Sequence, residues 1–163
     1  MISFIVPAHD EERLLGRTLV AIHDAAAGIG QPYEVIVVDD ASVDLTSAIA
    51  AQHGARIERV EYRQISRTRN AGARLASGDP LIFVDADTVI SSRVLRGTME
   101  ALQRGAVGGG ALITADGSKR AHRAVDATGQ NARRRREQFF GLQISGPLLT
   151  GHPATITRGL ANW

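Results

Sequence analysis

The sequence predicts an α/β domain built on an open, mostly parallel sheet. Short apolar runs alternate with segments in which apolar residues recur at helical spacing, and this alternation is typical of βαβ units. At 163 residues, the chain is long enough for one such domain with a substantial core. The strands are predicted at residues 2–6, 34–38, 56–61, 81–84 and 107–114.

Helix-period segments connect these strands. The first helix is predicted to take Asp10 as its N-cap, with Glu11 and Glu12 in a first turn where the helix dipole favours acids. The other three are predicted over 44–53, 66–77 and 92–104. A glycine follows each of these in the position that ends a helix: Gly54, Gly78 and Gly105. Beyond Asp116 the pattern weakens, with a long helix predicted over 120–140 and a short strand over 154–157.

Composition excludes several classes of site. The chain has no cysteine, so disulfides, zinc–thiolate centres and thiol nucleophiles are ruled out. Its longest apolar runs fall short of the roughly 18–20 residues that a membrane helix needs. The first predicted strand begins at Ile2, which leaves no room for a signal peptide. We therefore expect a cytoplasmic protein.

The net charge of +2 conceals two parts of opposite sign. Residues 1–117 carry 11 arginines and 15 acids, whereas residues 118–163 carry 8 basic residues and 2 acids. The basic part could contact phosphates or the surface of a membrane, or could be an exposed helix face; no nucleic-acid partner is predicted. The residues that would make a peripheral membrane contact are Arg133, Arg134, Arg135 and Arg136.

Two of the predicted strands end in carboxylates. Asp39 and Asp40 follow the second strand, and Asp85 and Asp87 follow the fourth. Ligands of open parallel sheets bind beyond the carboxyl ends of the strands, so both pairs are expected at one crevice. A single aspartate at a strand end is usually the N-cap of the next helix. Two acidic pairs, one of them with Asp-x-Asp spacing, indicate a binding site instead.

The chemistry of these residues suits a nucleotide and a metal ion. Asp85 and Asp87 offer hard oxygen ligands for Mg²⁺ or Mn²⁺. Such an ion can bridge diphosphate oxygens and neutralise the charge on a departing nucleoside diphosphate. The small Ala86 lets the backbone approach a ligand, and Asp39 or Asp40 can accept a hydrogen bond from a nucleobase or a ribose hydroxyl.

Four motifs resemble those of family 2 glycosyltransferases. That family carries P-A-x-N-E after its opening strand, then V-D-D-x-S-x-D-x-T, then R-N-x-G, then a strand ending in D-A-D. In the same order, this chain has PAHDEE from Pro7, VDDASVDLT from Val38, RNAG from Arg69 and VDAD from Val84. The resemblance covers residues 2–114 and implies the GT-A fold, a Rossmann-like open mixed sheet with flanking helices.

The resemblance implies a function and a set of site residues. The function is metal-assisted, inverting transfer of a sugar from a nucleotide-diphosphate sugar to the hydroxyl of a saccharide, lipid carrier or small molecule. Residues 1–115 would form the nucleotide-sugar-binding half of the domain, and 116–163 an incomplete start of the acceptor-side half. The implied donor site comprises Pro7, Ala8, His9, Glu11, Asp39, Asp40, Asp85 and Ala86, with Asp87 and Asp85 as metal ligands.

The chain departs from the family pattern at two positions. His9 stands where the family often has an aromatic residue, and Asp10 replaces the usual asparagine. Because a carboxylate has no donor to match that of an amide, the identity of the nucleotide does not carry over. Arg63, Arg67 and Arg69 could each reach a phosphate or lie on an exposed helix face.

No catalytic base is assigned from the sequence. In inverting members an Asp or Glu takes the proton of the acceptor hydroxyl. This residue follows a segment resembling G-G-F-D-E, and residues 151–163 of this chain resemble the stretch just before that segment. Asp116, Asp126 and Glu137 match no such motif.

The alternative to an active glycosyltransferase is a non-catalytic nucleotide-binding module or an inactive fragment. Exposed apolar residues are then expected to favour self-association: Phe139, Phe140, Leu148 and Leu149.

Two other families are disfavoured by the order of the motifs. The VDADTV run at 84–89 also fits the nucleophile signature of haloacid-dehalogenase-type phosphatases. That family places the signature on its first strand, with a lysine and an acidic pair downstream, whereas here it follows the fourth strand and Lys119 is the sole lysine. A nicotinamide-binding domain would need G-x-G-x-x-G after its first strand, and that motif is absent.

Overall fold

The computed structural model describes residues 1–111 and the backbone of residues 142–145. Within these residues a six-stranded sheet has the order β3-β2-β1-β4-β6-β5. Its strands are β1 Ile2–Ala8, β2 Tyr33–Asp40, β3 Arg56–Val60, β4 Leu81–Val84, β5 Gly108–Gly110 and β6 Leu142–Ser145. The helices are α1 Leu15–Ala27, α2 Thr46–Gln52, α3 Ile65–Leu75 and α4 Ser92–Gln103.

The sheet is mixed, and its parallel part comes first in the chain. Strand β1 lies between β2 and β4 and is parallel to both, while β3 extends the parallel part beyond β2. Strand β6 then runs antiparallel to β4 and to β5. Every residue of β1 is buried, as expected for a central parallel strand that is covered on both faces.

The core has two layers because side chains alternate along each strand. On one face, Phe4 and Val6 pack with Leu15, Leu19 and Ile22 of α1. On the other face, α3 packs against β1 and β2 through the small residues of its second half. These include Ala71, Gly72 and Ala73, which lie over a cluster containing Ile5, Ile36, Val38 and Phe83.

Most of the predicted elements are confirmed, with shifted ends. The strand predicted at 107–114 is described only as Gly108–Gly110, and β6 was not predicted. Gly54, with φ +71°, and Gly105, with φ +94°, follow α2 and α4 in the left-handed conformation that ends a helix. The predicted helix over 120–140 and the predicted strand over 154–157 lie outside the described residues.

Two of the predicted helix ends are wrong. Helix α1 begins at Leu15 with Leu14 in the N-cap position, and its first turn contains no acid. Asp10, Glu11 and Glu12 instead lie in the preceding loop, where Asp10 has φ +53°.

The third helix also ends earlier than the glycine rule predicts. Helix α3 ends at Leu75, because its C-cap residue Ala76 is already extended. Gly78 lies beyond it and donates its N–H to Ser3 Oγ at 2.9 Å. The missing side chain allows this close approach, since an added Cβ would lie only 2.8 Å from Ser3 Oγ.

The helices of residues 1–111 are short. The longest is α1, with 13 residues. Among the described residues no helix has the length and apolar character to cross a membrane.

We predict that Gly72→Ala destabilises the fold. The added Cβ would clash with Ile5 Cγ2 and would lie 2.9 Å from Val38 Cγ2, and both of these side chains are fully buried. Overpacking of this kind costs about 1–3 kcal/mol. Urea unfolding should therefore show a lower free energy of unfolding for this variant.

Gly97→Ala is the matched control for this substitution. Gly97 is also helical, in α4, but an added Cβ would have open space around it. This control should be neutral, or more stable by about 0.5–1 kcal/mol through helix propensity. Equal stability of the two variants would contradict the close approach of α3 to the sheet.

Candidate functional site

The predicted site residues gather at one edge of the sheet. Ala8, the last residue of β1, lies opposite Asp39, and Asp40 lies opposite Val60 at the end of β3. On the other side of β1, Ile5 pairs with Phe83, one residue before β4 ends. The Asp-x-Asp turn therefore begins level with the end of β1. This edge is where open parallel sheets bind their ligands.

Asp40 is buried, and its carboxylate holds the loop between β3 and α3. Oδ1 accepts hydrogen bonds from the N–H groups of Tyr62 at 2.6 Å and Arg63 at 2.9 Å. Oδ2 accepts from the Gln64 N–H at 3.3 Å and from the Thr68 hydroxyl at 2.7 Å. A carboxylate offers about four lone-pair sites, so this one is fully used by the loop and the first turn of α3.

These contacts also set the charge of Asp40. Burial opposes its ionisation, but the hydrogen bonds from Arg63, Thr68, Tyr62 and Gln64 outweigh that effect and lower its pKa. Asp40 is therefore a fixed negative charge at neutral pH.

Asp39 is buried as well, and it holds the loop between β2 and α2. Its Oδ1 accepts from the Ser42 N–H at 3.0 Å, and its Oδ2 accepts from the hydroxyl of Ser47 in α2. Arg59 of β3 brings its Nε to 3.9 Å from Oδ2. The two acids that end β2 thus fix the two loops that frame the crevice. Their predicted contact with a base or ribose stays a prediction.

Asp10 and Glu12 join the β1–α1 loop to the β2–α2 loop, and we call these two segments the paired loops (residues 9–14 and 41–46). Asp10 Oδ1 accepts from the Val43 N–H at 2.8 Å, and the Asp10 N–H donates to Ser42 Oγ at 3.0 Å. Glu12 Oε2 accepts from the Leu45 N–H at 3.1 Å. These bonds explain why neither acid caps α1.

Thr46 and Asp44 complete the paired loops from the other side. Asp44 Oδ2 accepts from the Glu12 N–H at 3.0 Å, and Thr46 Oγ1 accepts from the Glu11 N–H at 2.8 Å. Burial opposes ionisation of Asp44, but hydrogen bonds from Thr46 and Glu12 outweigh it and lower its pKa. Sequence reasoning missed this role, although the alternating Ser-x-Asp-x-Thr spacing signals side chains that can bond to backbone groups nearby.

Backbone strain concentrates at the same edge. Among the described residues, the non-glycine residues with positive φ are Asp10 at +53°, Ala41 at +60° and Arg63 at +46°. Asp10 and Ala41 belong to the paired loops, and Arg63 belongs to the loop that Asp40 holds. A conformation of this kind costs about 1–3 kcal/mol and persists where surrounding contacts impose it, which is common at ligand sites.

His9 and the last two residues of β1 lie at this edge of the sheet. His9 Nδ1 lies 2.6 Å from the carbonyl oxygen of Asp40. Because a carbonyl only accepts, we assign the proton to Nδ1, which leaves Nε2 facing the Asp10 carboxylate at 3.7 Å. The His9 side chain is half exposed, whereas Pro7 and Ala8 are buried in β1. The two β1 residues can therefore meet a ligand mainly through their backbone.

The two aspartates of the Asp-x-Asp turn have different surroundings. Asp85 forms an ion pair with Arg69 of α3, and the side chains are only 19% and 14% exposed. Asp87 is exposed, and its Oδ1 lies 3.3 Å from Thr88 Oγ1. Ala86 is buried between them, and its carbonyl accepts from the hydroxyl of Thr18 in α1 at 2.7 Å. The turn is thus anchored to α1 through its middle residue and to α3 through Asp85.

Glu11 is electrostatically linked to the exposed aspartate. Its pKa is raised, first by burial and then by the negative charges of Asp87 and Asp44. Glu11 lies three residues after β1 and Asp87 three residues after β4, so both acids follow neighbouring parallel strands to the same edge of the sheet. The sequence assigned Glu11 to the nucleoside pocket and did not connect it with Asp87.

The donor chemistry of this pair fits a hard divalent cation. Within residues 1–111, no three acids or histidines converge closely enough to hold a metal ion by themselves. Magnesium in nucleotide enzymes is usually bound by one or two carboxylates, with substrate phosphates and water completing its shell. Asp87 and Glu11 are carboxylates of that kind. A cation bound near them would relieve the repulsion between their negative charges.

The sequence profile described as glycosyl transferase family 2 matches residues 3–162 of the chain. The chain belongs to glycosyl transferase family 2. Solved structures with the same sheet are glycosyltransferases of the GT-A fold, which confirms the fold predicted from the motifs.

Curated relatives of this family 2 chain act on different molecules. It is 28% identical over 108 residues to validoxylamine A glucosyltransferase of Streptomyces hygroscopicus subsp. jinggangensis. It is 30% identical over 109 residues to dolichol-phosphate mannosyltransferase of Pyrococcus furiosus. These alignments cover 62% and 64% of this chain but 25% and 30% of the relatives. The chain therefore spans about a quarter of the length of the curated relatives it matches.

A solved structure that matches this chain holds a nucleotide sugar and a metal ion. The mannosyltransferase PcManGT from Pyrobaculum calidifontis, in complex with GDP-Man and Mn²⁺, matches with a TM-score of 0.59 at 25% identity. The match covers 70% of this chain and 35% of that one.

We predict that Asp40 makes the stability of the chain depend on acid pH. Its pKa is lowered below 3.8 in the folded state, so the unfolded chain binds a proton more readily. The stabilisation should be complete at neutral pH and lost as the pH falls through 3.8 and then through the lower folded pKa. Asp40→Asn should lower the free energy of unfolding at pH 7 by about 1.5–3 kcal/mol and flatten the acid dependence.

Urea unfolding between pH 7 and pH 2 measures both effects. Asp24→Asn removes an exposed carboxylate on α1 and should leave the curve close to that of the unmodified chain. An Asp40→Asn curve that coincides with that of this control would show that the four hydrogen bonds do not stabilise the fold.

Proposed function

We propose that this chain is the donor-binding part of an inverting glycosyltransferase that uses Mg²⁺ or Mn²⁺. It would bind a nucleotide-diphosphate sugar at the carboxyl edge of β1, β2 and β4 and pass the sugar to an acceptor hydroxyl. The observation that carries this proposal is the register of β1, β2 and β4, which brings the acidic ends of β2 and β4 to one edge of the sheet, where Asp87 is exposed. The GDP-Man and Mn²⁺ bound by PcManGT support it.

Each part of the edge has a separate task in this proposal. Asp87 would ligate the cation, with Glu11 contributing negative charge beside it. When bound, the cation would offset the charge that builds as the nucleoside diphosphate leaves. The exposed His9 would meet the nucleoside, together with the backbone of Pro7 and Ala8.

Asp39 and Asp40 would support the nucleoside chiefly through the loops they hold. Asp40 already accepts four hydrogen bonds, so a direct bond to a base or ribose would have to displace a loop N–H. Substituting Asp40 would then weaken nucleotide binding with or without metal, by releasing the Tyr62–Gln64 segment.

The acceptor is proposed only as a hydroxyl compound. The names of the two curated relatives point to a small molecule and to a lipid carrier, so they do not select one class. The acids named as unassigned base candidates, Asp116, Asp126 and Glu137, lie outside the described residues. Cytoplasmic location and membrane contact through Arg133–Arg136 likewise stay predictions.

Calorimetry with UDP, GDP and their sugars, in Mn²⁺ and in chelator, tests the binding step. A product assay for sugar transfer by the same preparation tests the reaction. Metal-dependent binding followed by transfer supports an enzyme, whereas binding without transfer supports a non-catalytic nucleotide-binding module. Equal affinity in chelator and in Mn²⁺ would contradict the metal role.

We predict that Asp87→Asn weakens nucleotide binding in Mn²⁺ while leaving the fold intact. One charged contact is lost, worth on the order of 1.5–3 kcal/mol, or about ten- to 150-fold in Kd. The side chain is exposed and contacts only its neighbour Thr88 among the hydrogen bonds of the described residues, so little packing is disturbed.

Asp79→Asn is the control for this substitution. Asp79 is exposed and precedes β4 at the opposite end of the strand, so its loss changes the net charge equally without touching the crevice. If both variants bind the nucleotide with the affinity of the unmodified chain, Asp87 is the wrong residue.

Glu11→Gln should change stability and binding in opposite directions. The raised pKa means that the ionised Glu11 costs stability at neutral pH, because of burial and repulsion by Asp87 and Asp44. The variant should be more stable at pH 7, by less than about 1 kcal/mol as for partly exposed charges. It should also bind nucleotide less tightly in Mn²⁺.

The stability gain should depend on pH in a defined sense. It should be full above the raised folded pKa and should vanish as the pH falls through that value and then through 4.5, where Glu11 is protonated in both states. Thermal unfolding at several pH values measures it, with the exposed Glu61→Gln as the control. A loss of stability at pH 7 would show that Glu11 makes favourable contacts instead.

A further inference from the structure

We propose that Thr18 of α1 is a positioning residue for the donor site: its hydroxyl holds the Asp-x-Asp turn by the carbonyl of Ala86 and so sets where Asp87 presents its carboxylate. This inference rests on the proposed function, since it concerns the acid that would ligate the cation. It adds a helix residue, 68 positions before Ala86, to the groups on which that acid depends.

Thr18 is directed toward the turn by the buried face of α1. It shares that face with Leu15 and Leu19, and only 1% of its own surface is exposed. A threonine inside a helix can donate its hydroxyl to the carbonyl four residues earlier. Here that carbonyl, of Leu14, lies 3.5 Å from Thr18 Oγ1, whereas the carbonyl of Ala86 lies at 2.7 Å. The single hydroxyl proton is therefore donated to the turn.

This hydrogen bond falls on the middle peptide of the turn. The Thr88 N–H donates to the Asp85 carbonyl at 2.9 Å, which closes a β-turn over residues 85–88. The Ala86 carbonyl belongs to the planar peptide between the two central residues of that turn, so the bond from Thr18 fixes the direction of this plane. Because the bond is buried, a missing hydroxyl would leave the carbonyl oxygen without its partner.

The middle peptide is also the one that distinguishes the two common turn types. Types I and II differ by a flip of this peptide, and the flipped form gives the third residue a positive φ. Asp87 is the third residue and does not have a positive φ. The hydroxyl of Thr18 thus stabilises one of two arrangements that the ion pair at Asp85, the first residue of the turn, does not distinguish.

Asp87 depends on this peptide for its direction. Its side chain is exposed, and among the hydrogen bonds of the described residues its carboxylate contacts only the neighbouring Thr88, at 3.3 Å. In this part of the chain no other element holds the carboxylate by a hydrogen bond, so its position follows from the backbone that Thr18 holds. Removal of groups that orient a metal ligand typically lowers metal affinity or activity about 10- to 100-fold.

Hydrogen exchange of the Thr88 amide tests the positioning without any ligand. Thr18→Val keeps the shape of the side chain, removes the hydroxyl and should speed this exchange by about fivefold or more, relative to the amides of β1. Thr98→Val is the matched control. Thr98 is equally buried, in α4, but its Oγ1 has no hydrogen-bond partner among the described residues, so the rate should stay within about twofold.

Calorimetry with UDP and GDP, in Mn²⁺ and in chelator, tests the consequence for binding. Thr18→Val should bind about tenfold more weakly in Mn²⁺, with its affinity in chelator unchanged within about twofold, whereas a merely structural defect would weaken both. Thr18→Ser restores the hydroxyl without the methyl group and should recover most of the loss. Thr98→Val should bind like the unmodified chain.

Three binding results would overturn the inference: unchanged affinity of Thr18→Val in Mn²⁺, an equal loss in Mn²⁺ and in chelator, or no recovery by Thr18→Ser. Unchanged exchange of the Thr88 amide in Thr18→Val would overturn it as well. The proposed function is judged separately, by metal-dependent nucleotide binding to the unmodified chain. If that binding is absent, the exchange experiment still decides whether Thr18 holds the turn.

Discussion

Parallel pairing of β1 with β2 and with β4 is the constraint on which the site depends. Because β1 is central and its neighbours run in the same direction, the chain leaves all three strands at one edge. Ala8, Asp39 and the start of the Asp-x-Asp turn therefore lie at one level, although they are far apart in sequence. Packing on both sheet faces keeps this register, since a slip of one residue would exchange the side chains of β2 between two layers with different neighbours, with Val37 in one and Ile36 in the other.

The carboxylates at this edge are divided by their hydrogen-bond partners. Asp39 and Asp40 are buried and accept hydrogen bonds from N–H and hydroxyl groups of the neighbouring loops and helices, which offset the cost of burying them. Asp85 forms an ion pair with the guanidinium of Arg69. By contrast, burial and the negative charge of Asp87 raise the pKa of Glu11. Negative charge is thus concentrated at the edge where the proposed cation and diphosphate would bind. The other acids at this edge already have hydrogen-bond or ion-pair partners.

Backbone strain and the hydrogen bonds between the paired loops occur together at this edge of the sheet. The paired loops are held by side-chain-to-backbone bonds in both directions, and two of their residues adopt positive φ without being glycine. Such conformations would be lost in isolated loops, where nothing offsets their cost. Here the bonds of Asp10 and Glu12 impose them, which fixes the position of Glu11 between those two residues. The Glu11 N–H, which donates to Thr46 Oγ1, adds to this constraint.

The sequence by itself determined the fold class, the positions of the first four strands along the chain and the edge at which the site lies. Those features follow from local periodicity and from short motifs, which the apolar runs of β1, β2 and β4 and the acids behind them display directly. The tertiary structure alone decided which acids are available to a ligand. The hydrogen-bond partners of Asp40 lie 22 to 28 residues away, those of Asp10 lie 32 and 33 residues away, and the partner of Asp85 lies 16 residues before it. A side chain's role as loop anchor, ion-pair partner or ligand is set by groups that only the folded sheet brings within hydrogen-bonding distance, and no local pattern contains them.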